Sequence, residues 1–350
     1  MRTQPEQHAT SRNVTVSRVQ HGPSQARVTS ISGPRGRDFV LVAGIGVASD
    51  YYVRLALDLN QVGTVHAIDL PGFGGVPHGK QAPGIEGFAD LVEAAITQLE
   101  LDDPVLVGHS MGSQVVTEVA ARRPDLSTIV LIGPVVNSAE SSIPRQAWRL
   151  AQCAGREPFA ITVHVLISYV LCGPWWFFKV LPKMMNYPIE ERLPHVRAHT
   201  LILRGQHDAT SPRSWARHLC DITPHARAWE IPSAAHSVMY AHAGAVAALT
   251  VEHMQHPEAA HDDPRDRQID QRTNPDERRS LVRFLSRLRG GATTLRGMVT
   301  GDDALVARGS RRSLAGYDGP HDSPDVDAVP LDAAEAAEDE STSEAARTTD

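Results

Sequence analysis

A doubly wound α/β fold around a mostly parallel sheet is the architecture this sequence predicts, and three observations predict it. Short apolar runs rich in valine, isoleucine and leucine recur at residues 39–42, 64–68, 105–107, 129–132 and 200–203. None alternates with polar residues as a strand with one wet face does. Each therefore reads as a strand buried on both faces, the habit of parallel strands covered by helices. Between the runs lie stretches with helical periodicity, such as residues 88–99 and 112–123. That β-then-α alternation is the mark of a doubly wound sheet, in which chemistry collects at the carboxyl ends of the strands.

The runs are confined to residues 25–256, which are expected to form the folded domain. Residues 1–24 are polar, are broken by Pro5 and Pro23, and read as a flexible leader without an apolar stretch of signal-peptide length. Beyond Pro257 the composition shifts to Asp, Arg, Pro, Ser and Ala, and residues 321–350 carry ten acidic residues against one arginine. Such a balance predicts a mostly disordered tail over 257–350. One stretch of the tail, residues 277–289, places Leu281, Phe284, Leu285 and Leu288 at helical spacing among Arg278, Arg279, Arg283 and Arg287. This amphipathic helix suits an anionic membrane or a partner, or equally packs back on the domain.

Composition also excludes some roles. A net charge of -7 lacks the basic footprint of a nucleic-acid binder. Cys153, Cys172 and Cys220 are odd in number, far apart and without C-x-x-C spacing, which argues against a disulfide framework or a zinc site. A reducing, cytoplasmic setting is expected, with no metal and no cofactor.

One strand end stands out. The run 105–107 leads into Gly108-His109-Ser110-Met111-Gly112, and a helical pattern follows from Ser113. This is G-x-S-x-G in the strand–turn–helix context that gives the motif its meaning. Ser110 is expected on a tight, strained turn with its hydroxyl raised above the sheet. Gly108 and Gly112 are expected where a side chain would strike the neighbouring helix or strand. On these residues the chain resembles the α/β-hydrolase fold superfamily over about residues 25–256.

The resemblance implies the chain order nucleophile, acid, histidine. After the run 200–203 comes Arg204-Gly205-Gln206-His207-Asp208, which resembles the family's acid loop and makes Asp208 the candidate acid. Its competing role is to cap the next helix, whose start is signalled by Thr210, Ser211 and Pro212. Asp221, at a helix end, fits less well. After a short strand at 228–231, Pro232-Ser233-Ala234-Ala235-His236 resembles the small-residue turn that carries the family's histidine. His207, His242 and His253 match that place less well. In this reading His236 takes the proton of Ser110 and returns it to the leaving group, while Asp208 orients the imidazole.

Two backbone N–H groups are the candidate oxyanion donors, those of Met111 and of Ile45. Relatives commonly have His-Gly after the early strand, where this chain has Ala43-Gly44. Without that histidine the loop must be held by something else. Asp69-Leu70-Pro71-Gly72-Phe73-Gly74-Gly75 resembles another family turn, with a structural role and no catalytic part for Asp69.

The family usually inserts helices over the site between the strands at 129 and 200. Here residues 137–196 are markedly apolar, 159–178 carry no charged residue, and Trp175-Trp176-Phe177-Phe178 form an aromatic cluster. The stretch is long enough for a membrane span, but Gly173-Pro174 breaks it and a helical lid is expected. Trp175 and Trp176 are the candidate substrate-binding residues, and a small hydrophobic substrate follows. The lid or the basic helix could also touch a lipid surface. The expected activity is that of a cofactor-free serine hydrolase, most simply a carboxylic ester hydrolase working through an acyl-enzyme on Ser110. The same triad serves C–C bond hydrolysis, perhydrolysis and acyl transfer, and a receptor with this fold is the non-catalytic alternative.

Overall fold

The apolar runs become the middle of one sheet. In this computed structural model, which describes residues 13–258, 281–315 and 328–331, the chain opens with β1 (Val14–His21), β2 (Ser24–Ile31) and β3 (Phe39–Val42). There follow a 3-10 turn at Ser49–Tyr52, α1 (Val53–Leu59), β4 (Val65–Asp69), α2 (Ile85–Gln98), β5 (Val105–His109), α3 (Met111–Arg122) and β6 (Thr128–Ile132). An insertion of helices α4 (Ile143–Ala154), α5 (Phe159–Cys172), α6 (Pro174–Met185) and α7 (Ile189–Arg192) precedes β7 (His199–Gly205). The domain continues with α8 (Arg213–Ile222), β8 (Ala226–Ile231), α9 (Val238–Ala241) and α10 (Ala243–Gln255). Two further helices, α11 (Leu281–Thr300) and α12 (Asp303–Ala315), and the short β9 (Val329–Pro330) complete the described residues.

Among the described residues the strands lie in the order β1-β2-β4-β3-β5-β6-β7-β8-β9. Pairing is parallel from β4 through β8 and antiparallel at both margins. After β3 the chain moves outward to β4, then returns across β3 to β5. The winding direction therefore reverses between β3 and β5, and the crevice of a doubly wound sheet opens at the carboxyl ends of those two strands. The two cores explain why the runs do not alternate. Val40, Val42, Leu106, Ile129 and Leu131 face α2 and α3, whereas Phe39, Leu41, Val105, Val107 and Val130 face α1 and α10. A strand with helices on both faces buries both of its rows of side chains and so favours apolar residues in consecutive positions.

The ends of the chain depart from expectation. Residues 14–24 are not a flexible leader: β1 pairs antiparallel with β2 along its whole length, from Val14↔Ile31 to His21↔Ser24. Gly22, at φ +54°, makes the two-residue turn between them. The strand was hidden because Ser17, Arg18, Gln20 and His21 are polar and only Val14 and Val19 are fully buried. Residues 1–12 lie outside the described residues. The tail is likewise not without structure over 281–315 and 328–331. The proposed helix at 277–289 lies within α11 from Leu281 onward, although its side chains up to residue 289 lie outside the described ones. Residues 259–280, 316–327 and 332–350, including most of the acidic stretch, also lie outside. Helix α12 is tied to β1 by a fork from Arg18 to both oxygens of Asp303, at 2.6 and 2.7 Å, and by Arg311 donating to the Val14 carbonyl at 2.6 Å. Gly297 and Gly309 let α11 and α12 approach so closely that a Cβ at either would meet the partner helix's backbone at 2.6 and 2.3 Å. Finally, β9 pairs with Trp229 and Glu230 at the far edge of the sheet.

No single helix among the described residues is long and apolar enough to cross a membrane; α5 and α6 reach that length only as a pair bent by 100°.

The turn after β4 is braced from inside. Arg27, fully buried on β2, donates from Nε and Nη2 to Asp69 Oδ2 at 2.9 and 2.6 Å and from Nη2 to the Gly74 carbonyl at 2.6 Å. Asp69 Oδ1 in turn accepts from the Ser49 amide at 2.5 Å. Removing one member of such a pair strands the other charge away from water. Arg27→Ala is therefore expected to destabilise the domain by about 3–5 kcal/mol in denaturant unfolding, well beyond the cost of removing a surface pair such as Arg123–Asp125.

Candidate active site

The site is built from strand ends, beginning with β5. Between His109 and Met111 the chain turns at Ser110, whose φ of 54° and ψ of -120° place an L-residue in a region that costs it energy. Neighbouring backbone holds it there: Ser110 N–H donates to the Ile132 carbonyl at 2.9 Å, and its own carbonyl accepts from Ser113 N–H at 3.0 Å. The flanking glycines are sites of contact. A Cβ on Gly108 would stand 2.3 Å from the Gly112 carbonyl oxygen, and one on Gly112 would stand 2.0 Å from that of Val42. Strand, helix and β3 thus meet at distances only glycine permits.

Asp208 follows β7 and His236 follows β8, and the structure brings the two together. His236 Nδ1 lies 2.8 Å from Asp208 Oδ2. Oδ1, the other oxygen, accepts from Thr210 N–H at 3.0 Å, Ser211 N–H at 3.1 Å and Thr210 Oγ1 at 2.6 Å. Asp208 pins its loop with one oxygen and meets the histidine with the other. It is not the cap of α8, which starts at Arg213. Burial favours the neutral acid, but the adjacent imidazole, Thr210 and Arg204 outweigh it, and the carboxyl is held well below its ordinary range. Burial likewise opposes a charge on His236, yet the carboxylate beside it prevails and raises its pKa. Arg204 fastens the acid loop through the Ser211 carbonyl at 2.9 Å, the Gln206 and Asp208 carbonyls, and a short ion pair to Glu230.

Several neighbours of this pair were not legible in the sequence. Gly133 follows β6 at φ +52°, and a Cβ there would lie 2.9 Å from Asp208 Oδ2 and 3.0 Å from the His236 ring; a glycine directly after a strand was its only signal. From the insertion, Cys153 Sγ reaches to 3.7 Å from Asp208 Oδ1 and accepts from Ala209 N–H at 3.2 Å. Burial, with the Asp208 charge nearby, pushes this thiol up to about 12, so it stays protonated. Glu157 accepts from Ser237 N–H at 2.6 Å, next to His236. His109 packs its ring 4.6 Å from that of His236 and donates from Nε2 to the His236 carbonyl at 3.2 Å. Burial first, then the neighbouring imidazole, lower His109 well below the ordinary histidine value.

The loop after β3 carries Ala43 and Gly44. Gly44 presses on Ser110, with its absent Cβ 3.1 Å from Ser110 Cβ. Ala43 is buried, and two tyrosines of the 3-10 turn make hydrogen bonds close by. Tyr52 donates to the Val42 carbonyl at 2.9 Å. Tyr51 donates to Ser237 Oγ and packs against His109 with centroids 5.7 Å apart. Ile45 lines the same cavity as Ser110 and His236, and Met111 opens α3 directly behind the serine.

That cavity measures about 440 Å³ and is overwhelmingly apolar. Its roof is the insertion, including Val165, Tyr169, Phe177, Leu181, Met184 and Met185. Trp175 and Trp176, the expected substrate-binding residues, do not line it. Trp175 is 80% exposed, whereas Trp176 is buried, donates from Nε1 to the Pro71 carbonyl at 2.8 Å and stacks on His78 at 3.8 Å. The helical phase of α6 decides this: 177, 181 and 184 share one face, and 176 and 180 share another. Gly72 receives the indole, since a Cβ there would meet Nε1 at 2.0 Å. Among the described residues no three His, Cys, Asp or Glu side chains gather in a way that could hold a metal ion.

Residues 39–249 match the sequence profile of the Alpha/beta hydrolase family. The chain belongs to that family. This α/β hydrolase is 22% identical over 253 residues to the pimeloyl-[acyl-carrier protein] methyl ester esterase of Vibrio cholerae serotype O1, a match covering 63% of the chain and 95% of the relative. Among solved structures it is similar to a membrane phospholipase A described as a bacterial virulence factor, with a TM-score of 0.59, 19% identity, and coverage of 71% of this chain and 88% of the other. A thermophilic esterase from Thermogutta terrifontis also has a TM-score of 0.59 at 19% identity, covering 69% of this chain and 98% of the other. At these identities the structural likeness speaks for the fold.

The glycine contacts yield a graded expectation for this α/β hydrolase. Gly112→Ala must displace backbone and should cost about 1–3 kcal/mol or more, whereas Gly44→Ala meets only side-chain atoms at 3.1 Å and beyond. Thermal unfolding of the two variants should place Gly112→Ala clearly lower; equal melting temperatures would contradict the packing described.

Proposed function

We propose that this α/β hydrolase is a cofactor-free serine esterase with Ser110 as nucleophile, His236 as general base and acid, and Asp208 as the group that orients the imidazole and stabilises the imidazolium formed during attack. The observation that carries the reading is the His236–Asp208 hydrogen bond at 2.8 Å beside a positive-φ serine facing the same apolar cavity. With Nδ1–H engaged by the carboxylate, Nε2 is the free base. It takes the Oγ proton as Ser110 attacks the ester carbonyl, and the Met111 and Ile45 N–H groups receive the developing oxyanion. The C–O bond to the leaving alcohol then breaks, and that alcohol leaves with the proton from Nε2. Water, activated by the same nitrogen, attacks the acyl-Ser110 carbonyl and releases the acid.

The predominantly apolar surface that the lining presents favours an acyl chain or another hydrophobic moiety over a sugar or a highly charged substrate. The name of the V. cholerae relative, a methyl ester esterase, agrees with an ester as the bond broken.

Two outcomes test the reading. With p-nitrophenyl esters, each methylene buried in the cavity contributes about 0.8 kcal/mol, or about fourfold in kcat/KM. The value should climb from acetate through butyrate until the cavity is full; turnover of acetate with no gain for longer chains would contradict an apolar acyl site. The pH profile has a definite sign. Only neutral His236 accepts the serine proton, and its raised pKa puts the acidic limb of kcat/KM above the ordinary value of about 6.5. Activity falls as pH drops through that limb. Asp208→Asn should move the limb down and lower kcat by a factor on the order of 10⁴.

A further inference from the structure

The exposed apolar residues of this protein are concentrated on the insertion. Of the eleven large hydrophobic side chains exposed among the described residues, ten fall between residues 143 and 178. Phe159 is 83% exposed, Val170 79%, Trp175 80% and Phe178 64%. Val170, Trp175 and Phe178 flank the 100° bend between α5 and α6. Single exposed apolar residues need no explanation, but a concentration of this kind marks a surface that meets something apolar.

Charge indicates what that partner is. The chain as a whole carries a net charge of -7. Across α4, α5 and α6 the balance runs the other way, with Arg145, Arg156, Lys179 and Lys183 all exposed, while Glu190 and Glu191 of the insertion lie on α7. Between residues 141 and 189 the only acid is Glu157, and it is turned inward to accept from Ser237 N–H. A second copy docking here would set these cations against one another. An anionic lipid headgroup layer would neutralise them while the aromatic and aliphatic side chains enter the acyl boundary. The mouth of the cavity opens on the same surface, because Ile143, Leu150 and Leu166 are exposed and also line the cavity above Ser110.

We propose that the exposed face of α4, α5 and α6 docks on an anionic lipid bilayer, with the cavity mouth turned toward the lipid. The protein lies on the membrane and does not span it. A hydrophobic substrate dissolved in the bilayer would then reach Ser110 without crossing water.

Cosedimentation of the full chain with extruded vesicles tests this. Binding is expected to phosphatidylcholine vesicles containing phosphatidylglycerol, and much less to phosphatidylcholine alone. The triple variant F159S/V170S/F178S changes side chains that line no part of the cavity. It should lose vesicle binding while keeping the native melting temperature and native hydrolysis of water-soluble p-nitrophenyl butyrate. Lys179→Glu and Lys183→Glu should each weaken binding to the anionic vesicles by about fivefold or more. The proposal is overturned if the native chain stays in the supernatant with anionic vesicles, or if the triple variant sediments equally well. It is also overturned if the triple variant turns a dimer into a monomer in ultracentrifugation without any vesicle binding by the native chain, which would make the face a contact between copies. A lower melting temperature for the triple variant, again with no vesicle binding, would assign the face to another segment of this chain. Binding is read without turnover, so its failure leaves the proposed esterase chemistry standing, and an inactive protein that binds vesicles leaves the docking face standing.

Discussion

Ser110 occupies a backbone conformation, φ 54° and ψ -120°, that an L-residue adopts only when its surroundings compel it, at a cost on the order of 1–3 kcal/mol. The compulsion comes from close contacts on three sides. Gly108 and Gly112 allow β5, α3 and β3 to meet at distances that no side chain tolerates, and the Ile132 carbonyl holds the serine amide from β6. Behind these contacts lie Val105, Leu106, Val107 and Val115, all fully buried, whose packing more than offsets the local strain. The loop carrying Ile45, the ring of His109 and the floor of the cavity are all placed by reference to this turn.

A second dependence runs through Asp208. Its two oxygens are divided between loop and histidine, so the same carboxylate that raises the pKa of the imidazole also fixes where the acid loop stands. The insertion reaches this carboxylate directly through Cys153, and it reaches the residue after His236 through Glu157. The helices over the cavity are therefore in contact with the polar pair beneath them. A movement of α4 large enough to open the cavity would break contacts to the acid and to the histidine turn. This ties the apolar outer surface of the insertion to the polar interior through a single connected set of side chains.

Legibility in the sequence followed the range of the interactions. The central strands were readable because most of their positions on both faces are apolar, and the elbow because its glycines, serine and following helix are contiguous. Asp208 and His236 were legible through their local turns, although the division of labour between the Asp208 oxygens needed coordinates. The features that escaped depend on partners far along the chain. β1 is mostly polar, and its edge is closed by Asp303, 285 residues from Arg18. The tryptophans at 175 and 176 were misplaced because an aromatic cluster does not reveal which face of α6 looks inward. The contacts of Tyr51 and Tyr52 near Ala43-Gly44 could not be inferred without knowing that the 3-10 turn folds back onto Val42.

The central claim is that Ser110 is an activated nucleophile, and the most direct measurement is covalent labelling with a fluorophosphonate followed by peptide mass spectrometry. The account predicts a single adduct on the peptide containing Ser110, formed rapidly by the native chain and far more slowly by His236→Ala of unchanged fold. An unlabelled Ser110 in well-folded native protein, or equal labelling with and without His236, would contradict it.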